Sequence, residues 1–165
     1  MTETSTAPDP HPPPRDAPGV IAPPPFIYLG ALAVGFGLEA LLPSASVPAA
    51  LEWSLGGALL LAGSALATSF IAAFRRARTP VDVRKATTTI VTTGPYRLSR
   101  NPGYLGLTLI YSGIAVLSGA LWLFAPLVLA LVVIDRGVIA REERYLERKF
   151  GEQYLRYKAR TRRWL

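Results

Sequence analysis

Long uncharged blocks divide this chain, and polar residues gather between them. Residues 26–42 hold one interior charge, Glu39, and stop at Pro43; residues 53–74 hold none. Each block is close to the roughly 20 residues that a helix needs to cross a hydrocarbon core, so two membrane spans are predicted. Residues 103–134 form a longer uncharged run. At roughly 1.5 Å per residue it exceeds one ordinary span, and Ser118-Gly119 is its best break. The pattern predicts a tight hairpin of two helices, the second running to about Ala140 with a kink near Pro126. Both halves are short, so a tilted or re-entrant pair also fits.

Beyond the hairpin the pattern turns amphipathic. Ile139, Leu146, Phe150, Tyr154, Tyr157 and Trp164 recur at spacings of three, four or seven and share one helical face. Glu142 falls on that face, three residues after Ile139 and four before Leu146. Its neighbours one turn away are Val138, Ile139, Tyr145 and Leu146, none of them cationic, and Glu143 has only Ile139 and Glu147 at four residues. Ordinary surface pairing explains neither acid. Glu142 must therefore pair with a loop arginine as a structural ion pair, or hold a cation, because a dry unpaired carboxylate costs several kcal/mol. Glu152 and Arg156 have the stabilising order and spacing and read as a solvated face.

Half of the 165 residues are hydrophobic and charge is confined to a few segments, which marks an integral membrane protein of one domain. The fold class expected is all-α: a polytopic bundle of about four transmembrane helices including the C-terminal hairpin, with an amphipathic C-terminal helix on the cytosolic side. Residues 1–25 are rich in proline and predicted to be a disordered tail, leaving 26–165 as the folded domain. The only histidine, His11, lies in that tail, and the absence of cysteine excludes disulfides, thiolate metal sites and a cysteine nucleophile. No metal is expected. Arg75, Arg76, Arg78, Arg84, Lys85, Arg97 and Arg100 fall between the second and third blocks, whereas the other connections hold no Lys or Arg. With the basic segment after Arg136, this asymmetry predicts both termini in the cytosol. The net charge of +7 then needs no nucleic acid, since topology and anionic lipid account for it.

The polar stretch Thr93-Gly94-Pro95-Tyr96-Arg97-Leu98-Ser99-Arg100-Asn101-Pro102-Gly103-Tyr104 opens the third block. Gly94-Pro95 signals a turn, and Asn101 before Pro102 suits a helix start, with Asn as N-cap and Pro at the first helical position. A purely structural reading makes Arg97 and Arg100 interfacial anchors. A functional reading notes that a helix N-terminus beside two arginines suits a carboxylate or phosphate.

Residues 88–106, including Ile90-Val91-Thr92-Thr93-Gly94-Pro95-Tyr96-Arg97 and Ser99-Arg100-Asn101-Pro102-Gly103-Tyr104-Leu105-Gly106, followed by Arg141-Glu142-Glu143 and Phe150-Gly151-Glu152-Gln153-Tyr154 with Tyr157, resemble a known group. They are similar to the membrane methyltransferases of the isoprenylcysteine carboxyl methyltransferase and phospholipid methyltransferase family. The resemblance runs from about residue 75 to the end. It implies S-adenosylmethionine as methyl donor, held by Thr88, Thr89, Ile90, Val91, Tyr96, Asn101, Pro102, Gly103, Tyr104 and Glu142, with Glu142 and Arg100 as the candidate catalytic groups.

Two positions depart from the eukaryotic prenylcysteine enzymes. Asn101 replaces a His that they carry, and Val138 replaces a substrate-binding Arg, leaving Arg136 and Arg141 to bind a substrate carboxylate. The implied acceptor is lipophilic and comes from the bilayer: an isoprenylcysteine-type carboxylate or a phospholipid amine. Two other classes stay open, a membrane sterol-type reductase using NADPH, whose phosphates would suit Arg97 and Arg100, and a non-catalytic membrane scaffold. The topology has a direct check. A reporter fused after Leu165 is expected to read as cytosolic, and an extracytosolic signal would refute the assigned orientation.

Overall fold

The computed structural model describes residues 17–80 and 87–165. Residues 1–16, the greater part of the expected tail, and Arg84 and Lys85 of the basic loop lie outside the described residues. The described residues form helices and connecting turns with no strand. The helices are α1 (Pro24–Leu41), α2 (Ala49–Arg76), α3 (Pro102–Leu117), α4 (Leu121–Phe150) and α5 (Glu152–Arg160). A short 3₁₀ turn, Gly94–Arg97, leads toward α3.

Three of these, α1, α2 and α4, are long and apolar enough to cross a membrane. The fourth hydrophobic helix, α3, has 16 residues. That is about 24 Å at 1.5 Å per residue, short of a hydrocarbon core of about 30 Å. The hairpin turns at Ser118–Ala120, where Gly119 adopts φ +62°, a left-handed conformation that glycine takes without steric cost. α4 is the longest helix, and its last turns carry the charged cluster beyond its apolar part. Pro126 falls in the first turn of its α-helical portion, and the irregularity expected there lies instead at Ile134–Ile139, which is wound as π-type turns.

The bundle is built on α3. Its partner α2 meets it antiparallel through two reciprocal glycine pairs: a Cβ on Gly63 would lie 2.8 Å from the Gly106 carbonyl oxygen and 2.7 Å from the Ile110 nitrogen, and one on Gly56 would lie 2.9 Å from the Leu117 nitrogen. A Cβ on Gly113 would in turn meet the Leu60 nitrogen at 2.8 Å. Backbone touches backbone here, as membrane helices do where lipid removes the hydrophobic drive for side-chain association. The seven-residue spacing of Gly56/Gly63 and Gly106/Gly113 keeps both pairs on one seam.

On the other side, Tyr28 and Ala31 of α1, Tyr111 and Ala115 of α3, and Leu123, Leu127, Ala130, Ile134 and Val138 of α4 form the buried core. Polar groups inside it are bonded. Tyr28 Oη donates to the Tyr104 carbonyl at 3.2 Å and shares a 2.9 Å hydrogen bond with Thr108 Oγ1, while Tyr111 Oη donates to the Leu123 carbonyl at 2.8 Å. Glu39, the isolated charge in the first block, accepts the Trp122 backbone N–H at 3.0 Å and so caps the start of α4 from a neighbouring helix.

Two expectations need correction. The C-terminal stripe is not one helix: Gly151 (φ +50°) breaks it, α5 ends at Arg160, and Trp164 returns to the core from an extended tail. The tail boundary also moves, because α1 begins at Pro24 and residues 17–23 lie against the bundle, with Val20 at the edge of the core.

The glycine seam yields a testable contrast. Gly63→Ala, which forces a methyl against α3 backbone, is expected to destabilise the protein by about 1–3 kcal/mol. Gly37→Ala, where the methyl meets nothing within 4 Å, is expected to leave the thermal midpoint in detergent unchanged or slightly raised. Equal midpoints for both variants would show that the seam does not carry stability.

Candidate functional site

A cavity of about 480 Å³ opens at the charged end of the bundle. Gly103, Tyr104 and Leu107 of α3 contribute its floor, and Ala67, Phe70, Ile71 and Phe74 of α2 one apolar wall. Glu142, Glu143, Tyr145 and Leu146 of α4, Tyr154 and Tyr157 of α5, and Thr87, Thr89, Ile90 and Val91 ahead of the 3₁₀ turn line it as well. Its surface is mostly apolar, and the charged residues lining it are Arg100, Glu142 and Glu143.

Glu143 is 5% exposed and anchors an ion network. Arg100 Nη2 lies 3.0 Å from Glu143 Oε1, Arg163 Nη2 2.7 Å from Oε2, and Lys158 Nζ 3.8 Å from the same oxygen. Arg163 also reaches Asp135 Oδ2 at 3.1 Å. The two carboxylates raise the Arg163 pKa further above its ordinary value, the hydrogen bond to Glu143 most of all.

The polar motif before α3 serves this network. The Arg100 backbone N–H donates to the Arg162 carbonyl at 2.9 Å, Ser99 Oγ donates to the Arg163 carbonyl at 3.2 Å, and Asn101 Nδ2 donates to that same carbonyl at 2.9 Å. Asn101 occupies the N-cap position, yet its side chain makes no capping bond. The expectation of an Asn N-cap is corrected: the amide holds the C-terminal tail instead. Gly103 and Tyr104, inside the first turn of α3, keep backbone N–H groups without intrahelical acceptors, and both residues line the cavity. Arg100 is nearly buried, and its Nε has no hydrogen-bond partner among the described residues.

Glu142 is placed differently. Tyr104 Oη donates to its Oε1 at 2.7 Å, and among the described residues no cation bridges it. Of the two ways to account for this acid, pairing with a loop arginine is thus realised by its neighbour Glu143. Beside it, Tyr96 clusters with Phe70 and Phe74, ring centroids 6.3 and 5.9 Å away, and its carbonyl accepts from Tyr157 Oη at 2.8 Å. Burial first, then the nearby Glu142 charge, push the Tyr96 phenol well above its ordinary range. Burial likewise pushes Tyr157 up to about 12, against the opposing pull of Arg100. Both phenols are therefore neutral donors at ordinary pH.

Thr89, Ile90, Val91, Tyr96, Arg100, Asn101, Gly103, Tyr104 and Glu142, singled out from the sequence, come together around this one cavity. Four others do not line it. Thr88 is exposed, with its N–H on Thr79 Oγ1 at 3.2 Å; Pro102 is buried as the first residue of α3. Arg136 is exposed, and Arg141 Nη1 donates to the Gly19 carbonyl at 2.8 Å. Sequence reasoning missed Phe70, Phe74 and Tyr145 and the prolines Pro18, Pro23, Pro24 and Pro25, all of which line the cavity. A signal existed for the first pair, since Phe70 and Phe74 are one turn apart at the polar end of a span.

The profile of one family, phospholipid methyltransferase, matches residues 51–153. That is more than half of the chain, and it takes in α2, α3, α4 and most of the cavity lining: the chain belongs to the phospholipid methyltransferase family and is a membrane methyltransferase in general character. An uncharacterized protein of Haemophilus influenzae is 45% identical over 67 residues, covering 98% of that protein and 38% of this chain. No solved structure shows a significant match.

The two adjacent glutamates should separate in unliganded protein. Glu143→Gln leaves Arg100 buried without its counter-ion and is expected to cost about 3–5 kcal/mol, the range for breaking a buried pair from one side. Glu142→Gln retains an acceptor for Tyr104 and is expected to leave the unliganded midpoint nearly unchanged. A large loss in Glu142→Gln with none in Glu143→Gln, measured by thermal unfolding in detergent, would reverse the roles of the two acids.

Proposed function

We propose that this protein transfers a methyl group from S-adenosylmethionine to a lipophilic or lipid acceptor, at a site on the cytosolic face of a four-span bundle with both termini in the cytosol. The observation that carries the reading is Glu142: a carboxylate on the wall of a mostly apolar cavity, hydrogen-bonded by the Tyr104 phenol and, among the described residues, not committed to an arginine. Membership of the family supports the methyl chemistry.

The residues present suit such a donor. Glu142 offers a counter-charge to an α-ammonium group, the N–H groups at the start of α3 that lack intrahelical acceptors suit a carboxylate, and Thr89, Ile90 and Val91 supply backbone and apolar surface beside them. Bound there, S-adenosylmethionine supplies an activated methyl on a sulfonium. The chain's task is then to position and dehydrate. The apolar walls of α2 and α3 exclude water, and Tyr96 stays protonated beside Glu142. In-line displacement needs little beyond a desolvated nucleophile at the right distance, and such positioning is worth several kcal/mol. A carboxylate acceptor arrives ionised, whereas an amine acceptor must lose a proton, which Glu142 takes only where it is not committed to the donor's ammonium group.

The acceptor has a route from the bilayer. α1 packs on α3 and α4 whereas α2 packs on α3, and the cavity reaches both the first residues of α1, Pro24 and Pro25, and the last turns of α2. A lipid could enter sideways between them while the polar donor arrives from water.

S-adenosylmethionine or S-adenosylhomocysteine is expected to raise the thermal midpoint of the detergent-solubilised protein by mass action, and NADPH is not. Glu142→Gln should weaken donor binding by about 2–5 kcal/mol, as typical of truncating one partner of a buried charged contact. A midpoint raised by NADPH alone would replace this reading with a reductase. Undiminished donor binding by Glu142→Gln would remove Glu142 from the site.

A further inference from the structure

One wall of the cavity comes from outside the family segment. The family match begins at residue 51, yet Pro18, Pro23, Pro24 and Pro25 line the cavity. This N-terminal wall is lightly held. Proline has no backbone N–H to bond with, and Gly19 and Ile21 are exposed. Val20 packs at the edge of the core, and among the described residues two contacts from one face of α4 hold the segment around it. Arg141 Nη1 donates to the Gly19 carbonyl at 2.8 Å. Four residues earlier, Gly137 leaves a slot that Ile21 fills: a Cβ there would stand 2.5 Å from Ile21 Cδ1. The opposite side of the site is held far more firmly, by the Glu143 ion network and three hydrogen bonds to the carbonyls of Arg162 and Arg163.

We propose that residues 17–23 are a releasable wall of the site, latched by Arg141 and seated on Gly137, which opens to pass a ligand and slows ligand loss when closed. Arg141 is thus a positioning residue that acts through the Gly19 carbonyl. The latch stands on contacts within the protein; only the choice of ligand probe rests on the methyl-donor reading.

The chain has no cysteine, so Ala22→Cys gives a single attachment point for a nitroxide label. In the unliganded Ala22→Cys protein the label is expected to be largely immobilised. Adding Arg141→Gln, which shortens the side chain and removes its charge, should make it clearly more mobile at an unchanged thermal midpoint, and Arg141→Lys, which keeps the reach and the positive charge, should restore much of the immobile fraction. Gly137→Val, which evicts Ile21 and leaves the guanidinium in place, should free the label as well, and it decides the matter if Arg141→Gln does not fold. With S-adenosylhomocysteine as probe, the ligand should leave Arg141→Gln at least threefold faster than the parent. Identical label spectra in parent, Arg141→Gln and Gly137→Val would overturn the latch, as would equal dissociation rates. Failure of S-adenosylhomocysteine to bind the parent protein would instead strike the methyl-donor reading, and the unliganded spectra would still decide the latch.

Discussion

The Glu143 carboxylate lies between two guanidinium groups, Arg100 at 3.0 Å and Arg163 at 2.7 Å, in a place where a lone charge would cost several kcal/mol. Its neutralisation ties together three parts of the chain that are far apart in sequence: the start of α3, the charged end of α4 and the C-terminal tail. Hydrogen bonds from Ser99, Arg100 and Asn101 to the carbonyls of Arg162 and Arg163 complete the clamp. The cavity exists because these elements are held at a fixed spacing. One consequence falls on the next residue. With Arg100 and Arg163 taken by Glu143, Glu142 sits on the cavity wall, where among the described residues it meets the Tyr104 phenol and no cation.

The glycine seam does the corresponding work within the apolar part. By letting α2 and α3 touch at backbone distance, it sets where the last turns of α2 arrive, and so places Phe70 and Phe74 beside Tyr96. On the far side, Tyr28 of α1 bonds the Tyr104 carbonyl, and Tyr104 bonds Glu142. Packing in the membrane and charge placement at its edge are therefore coupled through α3, the shortest of the hydrophobic helices.

Much of this was legible in the pattern of residues. The hydrophobic blocks located most helix ends to within a few positions, though α4 runs on from Ala140 to Phe150, and Ser118-Gly119 located the turn, because both follow from local chemistry. The helical spacing of Ile139, Glu142 and Leu146 marked Glu142 as an acid needing a reason. The spacing could not tell which of two adjacent acids would take the arginines, since Arg100 and Arg163 approach from segments more than 60 residues apart in the chain. Asn101-Pro102 read as a capped helix start, but a competing acceptor, the Arg163 carbonyl, took the amide. Gly151 broke the C-terminal stripe, a break that apolar periodicity alone passes over. Proline content marked residues 1–25 as a disordered tail, a reading that could not foresee that α4 supplies a seat for residues 17–23.

Whether the cavity beside Glu142 is a methyl-transfer site is tested most directly by supplying S-adenosylmethionine labelled in its methyl group to membranes containing the protein, extracting the lipids and identifying the labelled species. Protein-dependent label in one lipophilic species, lost in Glu142→Gln while that variant remains folded, is the expected result. Absence of label from every extractable species, together with protein-dependent consumption of NADPH, would contradict it.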